Sequence, residues 1–214
     1  NTNNRTIASI NISFQPSATY GASLSYSNYS FQQQVIIDSI YTDSLVVNQL
    51  NHNFMIVPRY TINGEKYVQS FLMTLNYQLL DDQNKAVSIP ASNKMLMGNL
   101  MYSIRPKKAG FEYNTSLNYF NFSSGIIGIE RYGLAVGAVY TSTDKKWRTR
   151  INAAWNNQDQ LSQRTQFLLF TGTVSFQALE KTSLQFSGQY TNSKSAILPY
   201  SETRLQFSIS QNLN

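Results

Sequence analysis

The chain has no cysteine, a single histidine and only five prolines in 214 residues. Without thiols there is neither a disulfide framework nor a thiolate metal site. A histidine metal centre or a Ser-His-Asp relay would have to rest on His52 alone. Charged residues make up 13% of the chain, about half the share of an ordinary soluble domain. No segment approaches the roughly 18 to 20 consecutive apolar residues of a membrane-spanning helix; stretches such as 167–170 are far shorter. The glycines show no phosphate-cradling spacing. The net charge of +6 comes from scattered Lys and Arg that form no stripe, which argues against nucleic acid as a partner. No enzymatic activity, cofactor or metal is therefore expected.

What the chain has in abundance is alternation. Eleven segments of roughly ten residues set apolar or aromatic side chains against Ser, Thr, Asn, Gln or Gly. Tyr20, Ala22, Leu24 and Tyr26 alternate with Thr19, Gly21, Ser23 and Ser25, and Leu205, Phe207 and Ile209 alternate with Arg204, Gln206 and Ser208. Successive strand residues point to opposite faces, so each segment has one apolar and one polar face. Repeated many times with turns between, this is the pattern of an outer-membrane β-barrel. A soluble two-sheet protein would dress its outer faces with Lys and Glu to discourage edge-to-edge pairing. Here uncharged polar residues take that place.

Parity places strands at 6–14, 18–28, 50–61, 67–80, 95–105, 111–121, 132–141, 147–156, 166–176, 182–191 and 203–213. Asn63-Gly64 marks the third return, since both residues tolerate the positive φ of a type I′ turn. Short connections are expected after the odd-numbered strands and longer ones after the even-numbered strands. Barrels keep short turns in the periplasm and longer loops outside, so the C-terminus is expected to be periplasmic. An odd count of eleven implies at least one further strand, in a wall of twelve or more. The start at Asn1, with neither Met nor signal peptide, fits a processed or truncated N-terminus. Residues 1–214 are thus expected to be one transmembrane β-barrel domain, the C-terminal part of a longer chain.

Aromatics bracket the expected strands. Tyr20 and Tyr26, Tyr67 and Tyr77, Tyr113 and Tyr119, Tyr132 and Tyr140, and Trp147 and Trp155 share the apolar parity, as two membrane-interface girdles require. Trp147 and Trp155 lie about 26 Å apart along an extended strand. On the opposite parity stand the lumen candidates Arg59, Arg105, Glu112, Arg148, Arg150 and Arg204. Such a set either makes a basic constriction that favours anions or fills the lumen by bonding to polar neighbours. Arg105 and Glu112 flank one hairpin at a spacing suited to pairing across it. His52 falls at the outer end of its strand, on the apolar parity. The stretch 29–49 mixes Val35, Ile36, Ile37, Val46 and Val47 with Asp38 and Asp43, a composition suited to a protein-binding loop.

The run Tyr20-Gly-Ala-Ser-Leu-Ser-Tyr-Ser-Asn-Tyr, the Asp43-Ser-Leu and Gln49-Leu-Asn-His-Asn53 segments, and Asp144-Lys-Lys-Trp-Arg-Thr-Arg resemble large outer-membrane β-barrel proteins of Bacteroidota. The resemblance covers most of the chain and places it at the C-terminal part of such a barrel. It implies an integral outer-membrane protein that anchors or assists a surface or secreted protein through its extracellular loops. Porin-like conduction is the alternative. Outer-membrane lipid and lipopolysaccharide are the expected surroundings in either case.

Overall fold

The computed structural model describes residues 2–34, 36–37, 40–41, 47–82, 92–125, 127–161, 163–179, 182–195 and 199–211. All regular structure among them is β. The first half comprises β1 (Thr2–Phe14), β2 (Tyr20–Gln34), β3 (Ile36–Ile37), β4 (Ile40–Tyr41), β5 (Val47–Asn63), β6 (Tyr67–Asp82) and β7 (Asn93–Pro106). The second half comprises β8 (Phe111–Ser124), β9 (Ile127–Thr141), β10 (Trp147–Gln160), β11 (Gln163–Leu179), β12 (Thr182–Ser195) and β13 (Tyr200–Gln211). β3 and β4 form a two-stranded sheet of their own. The other eleven form one antiparallel sheet in chain order, each strand paired with the one before it. The expected all-β fold of eleven antiparallel strands is thus present. No helix among the described residues is long and apolar enough to cross a membrane.

The strands exceed the expected lengths, chiefly at one end of the sheet. There β2 continues to Gln34 and pairs Gln33 with Val47, β8 continues to Ser124 and pairs it with Ile127, and β10 pairs Gln160 with Gln163. Polar segments read as loops are therefore largely ladder. The expected alternation of connection lengths survives only in the connections 35–46 and 83–92; those after β8 and β10 shrink to 125–126 and 161–162. The physical reason is that backbone hydrogen bonds carry a ladder past the point where side-chain alternation fades.

The two faces of the sheet are chemically distinct. On β9, Tyr132, Leu134, Val136 and Tyr140 are exposed, whereas Gly133, Ala135, Gly137 and Val139 between them are shielded. On β8, Phe111, Tyr113, Leu117 and Tyr119 are exposed and Glu112, Asn114, Ser116 and Asn118 are not. On β8 and β9 the apolar face thus stands open while the polar face is crowded, as in a sheet curled around its polar side; on β7, β10 and β12 the polar face also carries exposed residues such as Arg105, Arg148 and Gln189. Among the described residues no apolar side chain is buried; Asn157 and Ser193 are the buried polar ones. The chain exposes 15082 Å², against about 10,000 Å² for a compact soluble protein of its mass. A single layer has no second layer on which to close a core.

The series has two free edges. β1 and β13 are exposed on both faces, and neither pairs with the other. As first and eleventh members of an alternating series they run parallel to one another.

Candidate functional site: the polar face and its arginines

Register places Arg59, Arg105, Glu112, Arg148, Arg150 and Arg204 all on the polar face. Arg59 faces Gly21 on β2 and Leu72 on β6. Arg105 shares its strand face with Met101, which pairs with Ser116 and so lies on the face of Glu112. Glu112 pairs with Val139, and Val139 with Arg150. Arg148 pairs with Thr141 one step nearer the turns.

Three of these residues border one space. Arg105, Glu112 and Arg148 line one cavity of about 310 Å³, together with Gly110, Phe111, Val139 and Thr141. The turn after β7 forms its end, where Thr141 N–H donates to the Gly110 carbonyl at 2.7 Å. A β-carbon at Gly110 would collide with the Thr141 backbone, so only glycine lets the turn close against β9 here. The expected Arg105–Glu112 ion pair is not formed. Among the described residues the ion pairs are Arg164–Asp159 at 3.0 Å and Arg204–Glu202 at 2.7 Å. Arg204 holds Glu202 with two bonds, Nε to Oε1 and Nη2 to Oε2 at 3.1 Å. Arg204 is thereby neutralised, whereas Arg59, Arg105, Arg148 and Arg150 keep uncompensated charge. None of these four donates a side-chain hydrogen bond to a polar neighbour among the described residues.

Sequence parity alone did not single out two further cations. Arg5 donates from Nε to the Tyr29 hydroxyl at 2.9 Å and lies 5.1 Å from that ring's centre. Arg131 lies 5.3 Å from the Phe120 ring centre. Their signal was present in the alternation, but it lay in segments read as loop.

Between the arginines runs a polar band whose amides are Asn114, Asn152 and Gln189. Thr61, Ser70, Ser103, Asn114, Gly137, Asn152, Thr171, Gln189 and Arg204 succeed one another in register. Further along the same face Asn99 Nδ2 donates to its register partner Asn118 Oδ1, and Asn76 Nδ2 donates to Asn53 Oδ1 at 2.9 Å. Gly137 leaves room for two of these amides, since a β-carbon there would lie 2.7 Å from Asn114 Oδ1 and 3.1 Å from Asn152 Oδ1. Met97 and Met101 interrupt the polar face and remain partly exposed.

The aromatic candidates all occupy the apolar face. At the turn end with the short connections, Tyr20 pairs with Tyr60, Phe111 with Tyr140, and Trp147 stacks on Phe176 with 4.3 Å between ring centres. Tyr67 and Tyr113 are exposed at the same end. At the other end Tyr26, Phe54 and Tyr77 follow in register. Tyr119 pairs with Tyr132, which meets the edge of Trp155 at 5.8 Å. His52 joins this row: its Nδ1 accepts from the Tyr26 hydroxyl at 2.9 Å and from Asn28 Nδ2 at 3.0 Å. Of the loop candidates, Val35, Asp38, Asp43 and Val46 lie outside the described residues; Ile36 and Ile37 form β3, and Val47 begins β5.

No family model and no curated protein matches the chain. Solved structures similar to it are those of OmpT, an outer membrane protein of Vibrio cholerae. A loop L8 deletion mutant has a TM-score of 0.48 at 7% identity, covering 96% of this chain and 89% of that one. An in-vitro folded trimer form has a TM-score of 0.42 at 6% identity, with the same coverage. A further in-vitro folded form has a TM-score of 0.42 at 4% identity, covering 97% and 94%. Likeness at this level carries no argument about role, and the fold rests on the strand register itself.

Proposed function

We propose that this chain is part of the wall of a bacterial outer-membrane β-barrel, and that its polar face lines an aqueous passage favouring anions. The observation that carries the reading is the inversion of the two faces: apolar side chains stand open on every strand of the main sheet, while on the interior strands most of the small polar side chains opposite them are partly shielded. In water that arrangement loses the hydrophobic contribution that folds a soluble domain. Against lipid chains it costs nothing, and a sheet whose backbone bonds are made strand to strand suits a bilayer. The two aromatic rows fall where interface girdles belong. The Trp147–Trp155 spacing of about 26 Å along a strand tilted by about 40° gives about 20 Å along the membrane normal, close to the apolar band of such walls.

The anion preference follows from charge. The guanidinium groups of Arg5, Arg59, Arg105, Arg131, Arg148 and Arg150 start from the polar face without a carboxylate partner among the described residues, against the free carboxylate of Glu112. Rings of fixed charge at a narrow place select the opposite ion. The proposed role is passage rather than catalysis. The two long connections, 35–46 and 83–92, share one end of the sheet, which we take as extracellular; β13 then runs inward and its C-terminal end is periplasmic. Because β1 and β13 are parallel, antiparallel closure of the wall calls for an odd number of further strands, in keeping with a longer barrel of which 1–214 is one part.

An anchor for a surface or secreted protein is the second reading. It is favoured by the small sheet of β3 and β4, which stands on the long connection at the extracellular end. Planar-bilayer recordings of the native chain separate the two. Passage predicts anion-selective current whose reversal potential moves toward zero selectivity in Arg105→Gln. A stable detergent-resistant protein complex with no current would favour the anchor.

A further inference from the structure

We propose that the cavity bounded by Arg105, Glu112 and Arg148 is a binding site for an oxyanion that still carries a proton, hydrogenphosphate at neutral pH. The inference rests on the reading that the polar face is water-filled, and it adds a ligand class to that face. Arg105 lies on β7 and Arg148 on β10, with β8 and β9 between them. At about 4.8 Å per strand their backbones stand about 14 Å apart, and both residues, exposed on the polar face, line the same cavity of about 310 Å³. That volume holds a tetrahedral oxyanion with several waters. Neither guanidinium has an ion-pair partner among the described residues, although Glu112 lies between them. Arg150 sits one position further along the same face, with Val139 between it and Glu112, so the local balance is three cations to one carboxylate.

Glu112 narrows the choice of anion. A planar guanidinium presents paired N–H donors that match the oxygens of a tetrahedral oxyanion. A carboxylate is acceptor only, and beside a fully ionised oxyanion it sets lone pairs against lone pairs. Hydrogenphosphate removes that conflict, because its remaining O–H donates to the carboxylate while its other oxygens accept from the arginines. Sulfate at neutral pH has no proton to offer. The donor set therefore accepts phosphate and discriminates against an ion of nearly the same size and charge. Val139 and the Gly110–Thr141 turn contact complete the lining at the turn end of the sheet.

Calorimetric titration of the detergent-purified native chain with sodium phosphate and with sodium sulfate, at pH 7 and matched ionic strength, tests the site. Saturable phosphate binding is expected, at least about tenfold tighter than sulfate, the scale of one charge-assisted hydrogen bond made or denied. Arg148→Gln should weaken phosphate about tenfold or more. Glu112→Gln should bring the two anions to within about twofold, since an amide donates to either. Equal affinity for sulfate and phosphate in the native chain overturns the proposal, as does phosphate binding that Arg148→Gln leaves unchanged. Should Arg148→Gln fail to fold by heat-modifiability on gels, Arg105→Gln tests the other fork with the same two outcomes. Chloride conductance separates this from the passage reading. Current without phosphate binding removes the site alone, and phosphate binding without current removes the passage and leaves the site.

Discussion

Gly133 on β9 and Asn156 on β10 are direct register partners, and the Asn156 amide oxygen occupies the place a β-carbon would take at Gly133. The contact is backed by the Trp155 carbonyl, 2.7 Å from the same point, so the strand cannot yield without disturbing the ladder. Gly133→Ala is expected to lower stability by about 1–3 kcal/mol, the usual cost of forcing atoms into a filled site. Gly172→Ala is the control, because a β-carbon there meets nothing within 4 Å. Urea unfolding in detergent, followed by tryptophan fluorescence, should separate the two. Equal midpoints would mean that Asn156 simply swings away.

Trp147 and Trp155 supply a natural depth gauge. Both are on the apolar face of β10, with Ile151 midway between them. If that face meets lipid, shallow brominated lipids should quench both tryptophans in liposomes more than deeply brominated ones. A tryptophan placed at Ile151 should show the reverse order. Quenching by iodide that is equal at all three positions would place this face in water and defeat the membrane reading.

Much of this arrangement is legible in the sequence, because strand parity is a strict rule. The faces of Arg59, Arg105, Glu112, Arg148, Arg150 and Arg204 follow from counting by twos, and so do those of Trp147 and Trp155. The extents of the strands are not legible in the same way. Residues 32–34 and 157–160 are all polar, so alternation vanishes there while the backbone ladder continues. Pairing between side chains was also out of reach. Arg105 and Glu112 have the right spacing for an ion pair, yet Arg204 takes Glu202 two residues away on its own strand and Glu112 stays free. A sequence fixes which face a long side chain starts from, not where its end goes.

The turn between β9 and β10 gives a pH prediction. Asp144 accepts from the Ser142 hydroxyl and from the Lys146 backbone N–H at 3.1 Å. These two bonds, the Ser142 one foremost, hold its carboxyl below the ordinary value of 3.8. A carboxyl depressed in the folded state stabilises above its unfolded value and loses that contribution as pH falls through its folded value. The native turn should therefore exceed Asp144→Asn in stability above about pH 4, with the difference closing below that. Amide hydrogen exchange at Lys146 across pH 2.5–6 follows it directly. A constant difference over the whole range would show that the carboxylate charge plays no part.

His52 is best tested through the company it keeps. An amide nitrogen can only donate, so Asn28 Nδ2 requires Nδ1 of His52 to be an acceptor, and the Tyr26 hydroxyl then donates to the same lone pair. Asn28 Nδ2 also reaches the Tyr26 oxygen at 3.3 Å, which closes a three-membered polar cluster beside the Phe54 ring. His52→Phe keeps the ring contacts and removes the acceptor, leaving the half-buried Tyr26 hydroxyl unmet and Asn28 with only its longer bond to Tyr26. A loss of about 1–2 kcal/mol is expected from unmet donors of this kind. His52→Gln restores an acceptor and should recover most of it, although it loses the stacking on Tyr26. Unfolding midpoints in detergent decide between the two. If the phenylalanine variant proves as stable as the glutamine variant, the cluster is held by ring packing alone and the hydrogen bonds to Nδ1 contribute nothing.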